Sequence, residues 1–221
     1  MNEDLEMIRT CSISDFIRSL EFEELLNNLT NENKCDCYFD CDGVLLDTIT
    51  TSFKDMNLEL GREYRTPDIV NYYKNINWVD LINRSGEIKN SCRKLLILKN
   101  LDLFKNIGIA THRNTYMNEG VAKRNYFNKH AKGITVFDIP IKLEKHFALK
   151  ADDNILVDDS KKKILGWIND GGIGVLFDQN SSELLLPDES RPYYVTNNLL
   201  DLIKIIYIRN KTLKKTYQKT R

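Results

Sequence analysis

From Ser91 onward one pattern recurs: a short apolar run, then a segment with helical spacing. The runs are "IGIAT" (107–111), "ITVFDI" (134–139), "NILVDD" (154–159) and "IGVLF" (173–177). Between and before them lie "SCRKLLILKNLDLFK" (91–105), residues 115–131, the stretch around "KLEKHFAL" and "KKKILGWIND" (161–170). Short, largely apolar runs of this kind suit buried strands, and strands that alternate with helices must run parallel. The fold expected is α/β, a doubly wound parallel sheet with helices on both sides. "CDCYFD" (35–40) supplies an earlier strand, "YYVT" (193–196) a late one, and residues 197–216 a closing helix.

Two segments fall outside that alternation. Residues 12–29 carry apolar positions Ile13, Phe16, Ile17, Leu20 and Leu25 near one face, and Ser12 with Asp15 or Ser14 caps the start. One helix is expected there, followed by the polar break "TNENK" (30–34). Residues 49–90 have no β-rich run but many aromatics at helical spacing, with "RTPD" (65–68) as a helix start. The division expected is an N-terminal helical extension (1–34), a core (35–48 and 91–221) and a helical insertion (49–90).

Charge excludes some functions. Lys+Arg and Asp+Glu both number 32, so bulk charge gives no reason to expect a nucleic-acid polymer or a membrane as partner. The balance is uneven along the chain. Residues 1–34 hold eight acids against Arg9, Arg18 and Lys34, and residues 196–221 hold seven bases against Asp201. Two solvated helical faces, set against each other across the fold, account for this better than a nucleic-acid tail. No apolar run is long enough to span a bilayer, and "MNEDLEMIRT" lacks the positive start and apolar centre of a signal peptide. A cytoplasmic protein with reduced thiols is expected. Cys35, Cys37 and Cys41 cluster, but no fourth ligand follows at zinc spacing, so they are read as small buried apolar residues.

Ligands in such sheets bind outside the carboxyl ends of the strands. The residues there are unusually acidic. The first strand ends in Asp40-Cys41-Asp42, the second in Thr111-His112, and the fourth in Asp158-Asp159, with Lys142 and Lys145 just upstream. Carboxylates at this density repel unless a cation lies among them, and an oxygen-only set favours Mg²⁺.

Together these residues resemble the haloacid dehalogenase (HAD) superfamily of phosphohydrolases. "DCDGV" (40–44) fits its first motif, "IGIAT" ending in Thr111 its second, Lys145 its third and "ILVDD" (155–159) its fourth. The order holds over residues 35–178, about two-thirds of the chain. The resemblance implies that Asp40 is a nucleophile forming an aspartyl-phosphate, and that Asp42 is the general acid and then base. Thr111, His112 and Lys145 would meet the phosphate. Mg²⁺ would be held by Asp40, the backbone carbonyl of Asp42 and Asp159, with Asp158 supporting it. The insertion after the first motif corresponds to the family's substrate-selecting cap. "GWINDGGIGVLFD" (166–178) resembles the 5′-(deoxy)nucleotidase-like members. A nucleoside 5′-monophosphate is the substrate this implies, with a sugar phosphate or other small phosphomonoester as the alternative.

Tyr72, Tyr73 and Trp78 suit stacking on a base or the core of the insertion, and Trp167 suits packing. Asp47 is expected to cap the helix that follows it. Lys142 competes with Lys145 as the motif lysine, and Lys145, thirteen residues before Asp158, is preferred. Arg113 and Asn114 lie just beyond the motif threonine. A binding module that keeps the fold without turnover is the non-enzymatic alternative, and every motif position being filled argues against it.

Overall fold

A computed structural model describes residues 3–61, 65–113 and 118–219, with side chains for 6–61, 65–113 and 118–212. Six strands form one parallel sheet in the order β3-β2-β1-β4-β5-β6. They are β1 (Cys37–Phe39), β2 (Ile107–Arg113), β3 (Thr135–Pro140), β4 (Ile155–Asp158), β5 (Ile173–Phe177) and β6 (Tyr194–Thr196). The expected α/β class and parallel sheet are therefore observed, with β1 between β2 and β4, in register at Phe39↔Ile109 and Phe39↔Val157.

Side chains alternate between two cores, as a strand's period of two requires. Cys37, Phe39, Ile109, Ile155 and Val157 join the larger cluster, and Tyr38, Ala110 and Leu156 the smaller one on the opposite face. The smaller core is closed by α10 (Lys161–Asn169), whose Trp167 is fully buried, meets Tyr38 edge-on and donates its indole N–H to the Asn154 carbonyl at 2.9 Å. The packing role expected of Trp167 is what is observed.

Between β1 and the next strand come α4 (Thr48–Leu60), α5 (Thr66–Asn75), α6 (Trp78–Arg84) and α7 (Ser91–Asn100). The first three fill the insertion expected to be helical. Asp47 occupies the N-cap position of α4 but makes no side-chain cap bond, contrary to expectation. Its backbone N–H instead donates to the Gly86 carbonyl at 3.0 Å, which ties the loop after β1 to the end of the insertion. The helix expected over 91–105 stops at Asn100, and Asp102 takes a left-handed φ of 52° beyond it.

The N-terminal segment departs from expectation. Instead of one helix over 12–29 there are α2 (Ile13–Ile17) and α3 (Leu20–Asn28), preceded by α1 (Glu3–Thr10). The break has a local cause. Ser12 caps α2 by accepting from the Asp15 N–H at 3.1 Å, as expected, but Ser19 does the same for Phe22 at 3.3 Å. A side-chain cap at Ser19 takes over an orphan donor of a new helix start, so the chain turns instead of continuing. All three helices pack near α11 (Leu202–Lys219), the last helix. Phe16 sits edge-on to Tyr207 with centroids 5.5 Å apart. Lys204 donates to the Arg9 carbonyl at 3.0 Å, and Lys211 pairs with Glu24 at 2.9 Å. The first segment and the last helix thus pack together with Lys211 against Glu24, while the side chains of Lys214, Lys215, Lys219 and Arg221 lie outside the described residues.

Candidate active site at the carboxyl ends of the strands

Asp40 follows β1 and is buried. Its backbone N–H donates to the Val157 carbonyl at 2.8 Å, so the residue is registered against β4. The Cys41 N–H donates to its Oδ1 at 2.8 Å. Lys145 Nζ lies 2.9 Å from the same oxygen, and Lys163 Nζ 3.0 Å from Oδ2. Burial alone would raise the pKa of this carboxyl, but the two ammonium groups outweigh it and hold Asp40 well below the ordinary carboxylate range.

Lys145 opens α9 (Lys145–Ala148) and is buried, with Nζ 2.6 Å from Asp158 Oδ2. Lys142 is exposed, and it is Lys145 that lies against Asp40 and Asp158. Asp158 is fully buried at the end of β4, and its Oδ1 accepts from the Ser160 N–H at 2.9 Å. Burial, and then the Asp40 charge, push its pKa up. One carboxylate oxygen from each of Asp40, Asp158 and Asp159 lies within 4.8 Å of the others. Gly43 has φ +82°, and a Cβ there would fall on the Asp159 carboxylate. Glycine is therefore required both by the backbone and by that carboxylate's place. Three convergent carboxylates with no sulfur or imidazole among them suit a hard divalent ion, so the residues fit Mg²⁺.

Asp42 is turned away from that group. Its Oδ2 lies 2.6 Å from Lys123 Nζ, and its Oδ1 accepts from the Thr48 hydroxyl at 2.6 Å. The side chain thus stands apart from the three convergent carboxylates, and only its backbone carbonyl is left to the metal role expected of it. Lys123, on α8 (Glu119–His130), is fully buried. It also donates to Glu119 at 2.8 Å, to the Thr111 hydroxyl at 3.0 Å and to the His112 carbonyl at 3.2 Å. Burial opposes its charge most strongly, but Asp42, Cys41 and Glu119 together outweigh burial and raise its pKa above the ordinary 10.5.

Thr111 is buried with its hydroxyl taken up by Lys123 and the His112 carbonyl. His112 Nε2 lies 2.9 Å from the Leu143 carbonyl, and burial lowers its pKa. Arg113 pairs with Asp138 at 3.2 Å, and Asn114 lies outside the described residues. The sequence reading missed Lys123 and Lys163. Glu119 and Lys123 are an i,i+4 pair, and Lys163 stands four residues after Asp159, which were the signals available.

Beside Asp42 is a cavity of about 200 Å³ lined by Asp42, Thr48, Ile49, Tyr73, Trp78, Leu81 and Glu119. Tyr73 and Trp78 stack on each other, 5.6 Å between centroids, and Tyr72 bonds to Asp55 at 2.9 Å. A larger cavity, about 340 Å³, lies at the opposite edge of the sheet, around Asn106, Ile107 and Thr135 at the start of β2 and β3.

No family model and no curated protein matches the sequence. Solved structures do. A subfamily IA HAD-superfamily hydrolase from Geobacter sulfurreducens superposes with a TM-score of 0.51 at 16% identity, over 79% of this chain and 97% of that one. YfnB of Bacillus subtilis, described as a HAD-hydrolase and bound to magnesium, gives 0.52 at 12% identity, over 78% and 98%. At such identities the likeness defines the fold, and the fold of this chain is that of the HAD hydrolases.

Proposed function

We propose that the protein is a divalent-cation-dependent phosphomonoester hydrolase working through an aspartyl-phosphate. The observation that carries this is Asp40: buried, held ionised by two lysines, and grouped with Asp158 and Asp159. An ionised carboxylate in a site with fixed positive charge is a competent nucleophile. Asp40 forms a bond to phosphorus as the ester oxygen leaves, and Asp42 gives that oxygen its proton. Asp42 then takes a proton from the water that cleaves the acyl phosphate and frees Asp40. Lys145 meets the phosphoryl oxygens, with Thr111 and His112 at the neighbouring strand end completing the phosphate-binding group. A cation bound by Asp40, Asp159 and the Asp42 carbonyl, with Asp158 behind it, would supply Lewis-acid charge to the phosphoryl group.

Helices α4–α6 are the cap in this reading, and the cavity beside Asp42 receives the leaving group. Its Tyr73 and Trp78 wall favours a nucleoside 5′-monophosphate. Its volume of about 200 Å³ favours a sugar phosphate or another small ester, since pockets for drug-sized ligands run from roughly 300 Å³ upward. The reading includes a cytoplasmic location, supported by five free cysteines with four of them buried, and by no described helix being long and apolar enough to cross a membrane.

The test is phosphate release from a panel of phosphomonoesters, with Mg²⁺ and with EDTA, for the native chain and Asp40→Asn. Metal-dependent release that disappears in the variant supports the reading, and the rank order separates nucleotides from sugar phosphates. A folded protein that releases no phosphate from any ester overturns it.

A further inference from the structure

The carboxylate group fitted to a divalent ion already has a cation against it. Lys163 Nζ lies 3.0 Å from Asp40 Oδ2 and 3.6 Å from Asp158 Oδ2. It stands in the first turn of α10, just after Asp159 and Ser160. Burial works against its charge, but Asp40 and Asp158 prevail and raise its pKa.

Lys145 and Lys163 touch the same two acids but differ in freedom. The Lys145 side chain is 1% exposed and takes Asp40 Oδ1, the oxygen that also holds the Cys41 N–H. The Lys163 side chain is 26% exposed and takes Oδ2. A divalent ion among Asp40, Asp158 and Asp159 would face Lys163 across a few ångströms in a site of low dielectric. Two such cations repel strongly there. A long flexible stem rooted on a surface helix gives the ammonium a route to water, whereas Lys145 has none.

We propose that Lys163 is a tethered competitor for the divalent cation, so that the ammonium and the metal take the Asp40–Asp158 edge in turn. Without metal, Lys163 keeps the buried carboxylates paired and the fold intact. With metal, it is displaced to solvent, and that displacement weakens apparent metal affinity. The inference rests on the metal-binding group named in the proposed function, but not on the phosphatase chemistry.

Calorimetric titration of Mg²⁺ and of Mn²⁺ into the full chain tests it, comparing the native protein with Lys163→Met and Lys163→Arg. Lys163→Met is expected to bind at least about tenfold more tightly, and Lys163→Arg to stay near the native affinity. In EDTA the Met variant should melt at a lower temperature than the native protein, and saturating Mg²⁺ should close or reverse that gap. Should the Met variant fail to fold, Lys163→Gln is read in the same way. Equal or weaker binding by the neutral variant overturns the proposal, as does a failure of every protein to bind either ion. Tighter binding with no phosphate release anywhere overturns the phosphatase reading and leaves the competition standing. Metal-dependent release with unchanged affinities does the reverse.

Discussion

Two buried lysines sit within one sheet edge and behave differently. Lys123 is enclosed: Asp42, Glu119, the Thr111 hydroxyl and the His112 carbonyl absorb all its donors. Lys145 is equally buried, yet its cluster stays open, because Asp159 is exposed and Lys163 reaches partly into solvent. A saturated network fixes shape, and an open one has room for a ligand and for rearrangement. The Asp42 side chain belongs to the closed cluster and Asp40 to the open one. The acid–base residue of the proposed reaction is therefore held still while the nucleophile's surroundings are free to change.

The sharpest way to break that comparison is Lys145→Met. In the open cluster the loss should appear as turnover, with phosphate release falling to the background of Asp40→Asn. Retained turnover would make Lys145 a structural counter-charge like Lys123. Asp42→Asn should cost about 10²- to 10⁴-fold in kcat, the usual span for a general acid, with the steepest loss on esters whose leaving oxygen is most basic. Lys123→Met is expected to lower unfolding stability by about 3–5 kcal/mol in urea titration, since it removes the buried ammonium set between half-buried Asp42 and buried Glu119.

The same lysine gives a signature in pH. Its pKa is raised in the folded state, so its contribution is whole below the ordinary 10.5 and fades as pH climbs through the raised value. The stability gap between the native chain and Lys123→Met should narrow above about pH 10.5, and a gap that stays constant would mean the ammonium is not its source. The smallest effect is expected outside both clusters. Lys211→Ala breaks a half-buried peripheral pair with Glu24 and should cost no more than about 1 kcal/mol, with turnover unchanged.

The parallel sheet and the acids at its strand ends were legible because each signal is local. An apolar run of three residues followed at once by Asp40 or Asp158 declares both a strand and where it stops. Lys145 was legible only through its order relative to those acids. Lys123 and Lys163 were not, because "EGVAKRNYFNKH" and "KKKILGWIND" are charge-rich helices in which a lysine is ordinarily solvated. In the second stretch only the spacing of four from Asp159 separates Lys163 from Lys161 and Lys162, until the helix is docked on β4 and β5. The break at Ser19 escaped for the opposite reason. The apolar spacing runs straight through it, and a single hydroxyl cap decided the matter.

The first three helices have a consequence for how the protein is made. Lys204 reaches back to Arg9 across 195 residues, and Phe16 leans on Tyr207. On a ribosome adding about 5–20 residues per second, the opening segment is finished roughly 10–40 s before its partner helix exists. Through that interval Phe16, Phe22 and Leu25 have no α11 to cover them, although all the strands have been synthesised by its end. A helix made late is thus the one that shelters helices made long before it.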